Sequence, residues 1–255
     1  MALPFPVPDS LAPTFTLSRC TAADTDAFIE VYYESFLTDP RNTFWWSPDK
    51  AAMHRWMKHR VNRKMNDRRV RHFKVTDVES GDMVAMSRWD IPEGHEAVFG
   101  EWVETATPVD VSQTVTAVGE GEAEDVPVTS APAEAPGADY PEGSKPELCK
   151  IFFDALKDMS EKHNAKTMLG LSLLCTSPKY HRRGAGKALM LPMLALADAQ
   201  GLKTYLEATP TGKPIYEKLG FREVDEITFD LDKLLGGDNG IYKISIMVRE
   251  PRSGI

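Results

Sequence analysis

The sequence predicts an α/β fold built on a mixed sheet, and three observations carry that prediction. Apolar runs of strand length alternate with amphipathic segments of helical period from residue 146 onward. Two helix-period segments and a β-hairpin pattern precede residue 90. The stretch between the halves follows neither period, so the chain reads as a single domain over 14–250 with an insertion at about 104–145.

Prolines at 4, 6, 8 and 13 fix φ and remove backbone donors. Residues 1–13 are therefore expected to form an extended arm, with order beginning at Phe15-Thr16-Leu17, a short strand. Thr21 with Asp24 is a helix-entrance pattern, and Phe28, Val31, Tyr32, Ser35 and Phe36 follow at helical spacing. Ser47-Pro48 repeats the start signal, with proline at the first helical position, ahead of Met53, Trp56, Met57, Val61 and Met65. The other face of that second helix carries Arg55, Lys58, Arg60, Arg63 and Lys64 and runs on into Arg68, Arg69 and Arg71. It is either a solvated face or one that attracts phosphates.

His72 to Val78 alternates as a strand does, Glu79-Ser80-Gly81-Asp82 supplies a turn, and Met83 to Trp89 completes a hairpin. From Glu104 to Ser144 there is no Lys or Arg, and Ala, Pro, Glu, Gly, Thr, Val and Asp dominate. Such a composition buries too little apolar surface to order itself, so a mobile insertion without catalytic residues is expected. Pro146 to His163 carries a third amphipathic helix. The apolar run 167–175 suits a central strand, Gly184 to Gln200 a helix stopped by Gly201, and 203–207 another strand. Thr211 to Leu219 is a short helix ended by Gly220, and strands over Phe221 to Leu231 and Ile241 to Val248 complete the pattern.

A net charge of −8 argues against a general binder of nucleic acid or anionic membrane, since such proteins carry a basic excess. Cys20, Cys149 and Cys175 lack metal-ligand spacing, so neither a metal site nor a disulfide framework is expected and a reducing compartment fits. The first residues lack a signal-peptide pattern, and no run of about 18 apolar residues occurs. The expectation is a soluble cytoplasmic or nuclear protein.

The segment with the most chemistry is His181-Arg182-Arg183-Gly184-Ala185-Gly186-Lys187, which joins the central strand to a helix. Gly184 and Gly186 let backbone N–H groups approach an anion, and the helix start turns its positive dipole end toward it. The same glycines also suit an ordinary tight turn. Neither the dinucleotide fingerprint G-x-G-x-x-G nor the P-loop pattern is matched.

Downstream stands Lys213-Pro214-Ile215-Tyr216-Glu217-Lys218-Leu219-Gly220-Phe221-Arg222. Together with the turn, this segment resembles the GNAT superfamily of acetyl-CoA-dependent N-acetyltransferases, whose members place a Q/R-x-x-G-x-G/A turn after a strand and a Y-E-K-L-G-F helix end later. The resemblance spans about residues 167–229 and implies a GNAT-type, mostly antiparallel twisted sheet, flanked by helices and splayed at its central parallel strands. It further implies that backbone N–H groups of Arg182, Arg183, Gly184, Ala185, Gly186 and Lys187 hold the coenzyme A pyrophosphate, with His181 counted among the cofactor-binding residues. Pantetheine would lie beside Leu174, Cys175 and Thr176, where a backbone N–H meets the thioester carbonyl. Three departures stand out: His181 replaces the usual Gln or Arg, Pro192 falls inside the helix and should kink it, and 207–213 lacks the Asn that many members use there.

Acetyl transfer to an amine needs a base for the amine and an acid for the leaving thiolate. By the resemblance Tyr216 is the acid, the alternative being a core tyrosine that packs the short helix. Glu207, closing a strand near the splay, is the candidate base, or else a solvated strand end. His72 and His181 are lesser candidates. The acceptor is expected against the first two helices, at Tyr33, Phe36, Asp39, Phe44, Trp45 and Trp46. There the aromatic rings would wall a pocket for a small-molecule primary amine and Asp39 would draw its cation, unless the tryptophans only anchor the second helix. A protein amine is the alternative acceptor, and a non-catalytic acetyl-CoA-binding module the alternative class. Beyond acetyl-CoA and the acceptor, no nucleic-acid or membrane partner is expected.

Overall fold

The structure is a computed structural model that describes residues 2–100 and 140–252. The insertion expected at about 104–145 lies outside the described residues except for 140–145. Strands β1 (Phe15–Arg19), β2 (Val70–Asp77), β3 (Met83–Asp90) and β4 (Leu169–Thr176) run antiparallel, each to the next. β4 pairs in parallel with β5 (Thr204–Ala208), and β7 (Ile241–Arg249) inserts between β5 and β6 (Arg222–Asp230). The described residues thus hold a seven-stranded sheet of order β1-β2-β3-β4-β5-β7-β6, mixed and mostly antiparallel.

Each face of this sheet buries its own core. Helices α1 (Thr25–Leu37), α2 (Lys50–Met65) and α3 (Pro146–Lys162) cover one face and bury Phe28, Met53, Met57, Leu148 and Phe152 against Met86, Ile244 and Ile246. Helices α4 (Ala185–Ala199) and α5 (Lys213–Lys218) lie on the other, where Leu189, Met190, Met193 and Tyr216 meet Phe73, Trp89 and Leu206. The bidentate pair of Arg249 with Asp198, at 2.6 and 2.7 Å, fastens the end of β7 to α4. The same guanidinium donates to the Leu219 carbonyl just past α5.

Two irregularities shape the centre of the sheet. The β3–β4 register steps from Trp89↔Leu171 to Arg88↔Leu173, which leaves Ser172 as an extra residue, a bulge. An extra residue reverses the alternation of faces, so Leu169 and Leu171 pack on the α4 side whereas Leu173 and Cys175 join the core under α1, α2 and α3. The parallel pairing of β4 with β5 covers only Leu169 to Leu171 against Thr204 to Leu206, although the strands run on to Thr176 and Ala208. Beyond Leu171 and Leu206 they part.

Several expectations need correction. The N-terminal arm is not a free extension before Phe15: Phe5 is buried, its ring 5.2 Å from that of Phe73, and the Leu11 N–H donates to the Pro8 carbonyl. Prolines keep the arm out of the sheet but not out of the core. Pro48 does not open α2, because the Asp49 carboxylate accepts from the Ala51 N–H and makes Asp49 the cap. The short helix α6 (Leu231–Leu235), capped by Asp230, lies between the two last strands, where the sequence predicts no element beyond Leu231. α4 runs as one helix with Pro192 buried in its middle.

The basic face of α2 is largely answered by acids: Lys50 meets Glu30, Lys58 meets Asp26, Arg55 meets Glu142, and Lys64 lies near Asp67 and Asp90. Arg71 is not on that surface. Only 1% exposed, it donates to the carbonyls of Gly100, Arg68, Val70 and Glu96.

Candidate active site

The turn into α4 is built from two left-handed residues. Arg182 has φ 63° and Gly184 φ 86°, so the chain reverses sharply before Ala185 starts the helix. The first helical bond in this region runs from the Ala188 N–H to the Gly184 carbonyl. Among the described residues, no acceptor takes a hydrogen bond from the N–H groups of Arg182 to Lys187. The turn is solvent-facing at Arg182, Arg183 and Gly184, and a Cβ on Gly184 would meet only the Ser10 carbonyl, at 4.0 Å. Unfilled donors at a helix start, without side-chain cover, form an anion cradle. His181 Nε2 donates to the Thr176 carbonyl, 3.0 Å away, and the Arg183 guanidinium lies over the Tyr180 ring, so neither side chain fills the cradle.

The gap between β4 and β5 lies beside this turn. A Cβ on Gly186 would stand 3.5 Å from the Thr176 hydroxyl at the end of β4. Ser35 of α1 donates to the Thr176 carbonyl at 2.9 Å, fixing the β4 end from the opposite face. Leu174 is partly buried on the α4 side, and the Cys175 thiol is buried under α1. Burial pushes that thiol up to about 12, with Arg88 and Ser35 opposing, so it stays protonated and is no nucleophile at neutral pH.

Tyr216 projects from α5 into this region. It is 9% exposed, its ring 5.9 Å from that of Phe221, and its hydroxyl has no hydrogen-bond partner among the described residues. Burial, and then the nearby Cys175 thiol, raise its pKa above the ordinary phenol value, so it holds its proton.

On the opposite face lies a cavity of about 240 Å³. Its walls are aromatic, with Tyr32, Phe36, Trp45, Trp46, Phe152 and Phe153 among them, and its polar lining includes Arg88, Ser172, Glu207 and Thr209. Glu207 reaches it from β5, where the strands part. Burial pushes the Glu207 carboxyl up to about 7; the neighbouring Tyr205 hydroxyl and Arg88 pull it down, and Asp90 adds to the rise. A carboxyl poised there exchanges a proton near neutrality.

Phe36, Trp45 and Trp46 thus share one cavity, and Glu207 shares it with them. Tyr33 does not line it: its ring stacks on Trp46 at 5.2 Å and sits under Lys50. Asp39 is not in the lining either; it lies in the turn after α1, its N–H on the Phe36 carbonyl. Phe44 packs between Phe152 and Phe229. His72 is buried on β2, its Nε2 without a partner, and burial together with Arg88 and Lys64 keeps it neutral. Sequence reasoning missed Arg88, Ser172 and the α3 phenylalanines. Phe152-Phe153 was the available signal, since two adjacent aromatics cannot both sit on one narrow helical stripe.

Residues 159–231 match the family model described as acetyltransferase (GNAT) domain. A crystal structure from Corynebacterium glutamicum ATCC 13032, described as histone acetyltransferase HPA2 and related acetyltransferase, aligns over 94% of this chain and 98% of its own, with a TM-score of 0.52 and 18% identity. A mosquito arylalkylamine N-acetyltransferase like 5b aligns over 92% of this chain and 99% of its own, with a TM-score of 0.52 and 11% identity. No curated protein sequence matches the chain. At such identities the two structures speak for the fold, and the family model speaks for the segment holding β4, the turn, α4, β5 and α5. Residues 159–231 are thus similar to an acetyltransferase (GNAT) domain, set in a fold shared with two acetyltransferase structures.

Proposed function

We propose that the protein transfers the acetyl group of acetyl-CoA directly to a small-molecule primary amine within a ternary complex. The observation that supports this most is the occurrence together of the β4–β5 gap, an unfilled N–H cradle and an aromatic cavity lined by Glu207. In this reading the N–H groups of Arg182 to Lys187 take the pyrophosphate, and the free edge of Leu174 to Thr176 takes the pantetheine and orients the thioester carbonyl.

Glu207 accepts the amine proton as the nitrogen attacks the carbonyl carbon, and Tyr216 donates to the sulfur as the C–S bond breaks. The proton balance closes: one leaves the amine and one reaches the thiolate. Phe36, Trp45 and Trp46 wall the acceptor pocket, backed by Tyr33, which holds Trp46. Asp39, outside the cavity lining, is left without a direct role. A concave aromatic cavity of about 240 Å³ favours a small acceptor over a protein surface.

A cytoplasmic location agrees with three free, buried cysteines and with the lack, among the described residues, of any helix long and apolar enough to cross a membrane. The test is thiol release from labelled acetyl-CoA across a panel of small amines and amine-bearing peptides. Turnover of small amines is the expected outcome. Turnover of peptides alone would move the assignment to a protein N-acetyltransferase, and coenzyme binding without any turnover would move it to a binding module.

A further inference from the structure

The acceptor cavity holds a guanidinium that forms no ion pair with any carboxylate among the described residues. Arg88 of β3 lines it, and its Nε donates to the Ser172 hydroxyl at 2.9 Å. Among the described residues, no carboxylate forms an ion pair with Arg88 and its two terminal nitrogens have no acceptor. Arg60, the other cavity cation, lies instead over the Trp56 and Phe153 rings at 4.8 and 5.0 Å. The residue opposite Arg88 on β2 is His72, which is buried and neutral and offers no counter-charge. A partly buried guanidinium without a counter-ion is costly, and the fork of donors it presents matches a carboxylate.

Glu207 does not fill that role. It stands two strands from Arg88, across β4, and no ion pair joins them. Arg88 of β3 and Glu207 of β5 both line the cavity, with Ser172 of the intervening β4 between them in the sheet order. A ligand with an amine and a carboxylate on one carbon spans such a pair, while its side chain enters the aromatic walls. The Trp45 indole N–H, buried without a partner in another wall, is one more donor seeking an acceptor-rich ligand.

We infer that Arg88 recognises a carboxylate on the acceptor, so that the substrates are α-amino acids with an aromatic or large apolar side chain. The inference rests on the N-acetyltransferase reading above and narrows it from amines to amino acids. Arg88 binds the carboxylate in ground and transition states alike, so its loss appears chiefly in KM.

The experiment compares L-phenylalanine with 2-phenylethylamine, and L-tryptophan with tryptamine, by thiol release. The expected ratio of kcat/KM favours the amino acid by at least about 100-fold, as for a site built around a polar group that the analogue lacks. Arg88→Met should bring that ratio down to within about tenfold of unity through KM, and Arg88→Lys should restore part of it, as a point charge without the fork. Calorimetric titration with coenzyme A reports whether each variant is folded, and the wild-type ratio decides the matter if Arg88→Met does not fold. Equal or better turnover of the decarboxylated amines, or a ratio unmoved by Arg88→Met, overturns the inference and leaves N-acetylation standing. Coenzyme binding with turnover of no amine overturns both.

Discussion

At the scale of single residues, the protein separates a carboxyl and a phenol by environment. Glu207 titrates near 7 because burial disfavours its charge, and in its proposed role as base it must be ionised. The kcat/KM for an amine should therefore rise with pH through about 7, and Glu207→Gln should lower the rate and flatten that rise, read from a pH–rate profile. The sign for stability is opposite. A carboxyl raised in the fold binds its proton more tightly there than in the unfolded chain, so it costs stability as pH climbs from the ordinary carboxylate range to about 7. Glu207→Gln should thus raise the unfolding free energy at pH 8 by up to about 3 kcal/mol and change it little at pH 4, read by urea titration at both values. Tyr216→Phe should reduce kcat by roughly 10- to 1000-fold with little change in coenzyme affinity. An unchanged kcat would return Tyr216 to the role of a packing residue. Tyr216 was singled out by its motif and Glu207 by its place at a strand end, whereas Arg88 was not, because an arginine within an apolar strand announces no partner until the strands are assembled.

At the scale of elements, helix starts and strand ends carry the chemistry. The cradle depends on Gly184 at φ 86°, which costs a β-branched residue both strain and the open approach to the backbone. Gly184→Val should abolish coenzyme binding in calorimetry while the melting transition persists; retained affinity would count against the cradle. α5, which positions Tyr216, is held at its end by the Arg249 guanidinium and so by Asp198. Asp198→Ala strands a 97%-buried cation and should destabilise the fold by about 3 kcal/mol or more, measured by denaturant titration. Most elements were legible because periods of two and three to four residues survive in the sequence. The start of α2 was misjudged because proline and Asp49 offered competing entrances, and only the capped Ala51 N–H decides between them. The bulge at Ser172 was hidden for a related reason: the run 167–175 is apolar enough to satisfy either face, so no letter marks where the alternation reverses.

At the scale of the whole molecule, the sheet divides two cores, and the N-terminal arm belongs to one of them. Phe5 lies in the same apolar cluster as Trp89, Leu189 and Tyr216, while the Ser10 carbonyl stands beside the cradle. Phe5→Ala should therefore cost about 3 kcal/mol and lower the melting temperature, an outcome foreign to a loose extension. That the arm packs could not be read from its prolines, which specify what the backbone avoids and say nothing of which ring it lends to a core. The division itself bears on how such a protein changes over descent. The Ser172 bulge hands β4 from one core to the other, and the proposed coenzyme cradle stands on α4 while the proposed acceptor walls come from α1, α2, α3 and the loop before α2. Substitutions in those walls can accumulate without disturbing the cradle, so lineages sharing this architecture are free to trade one acceptor for another while inheriting the same acetyl donor.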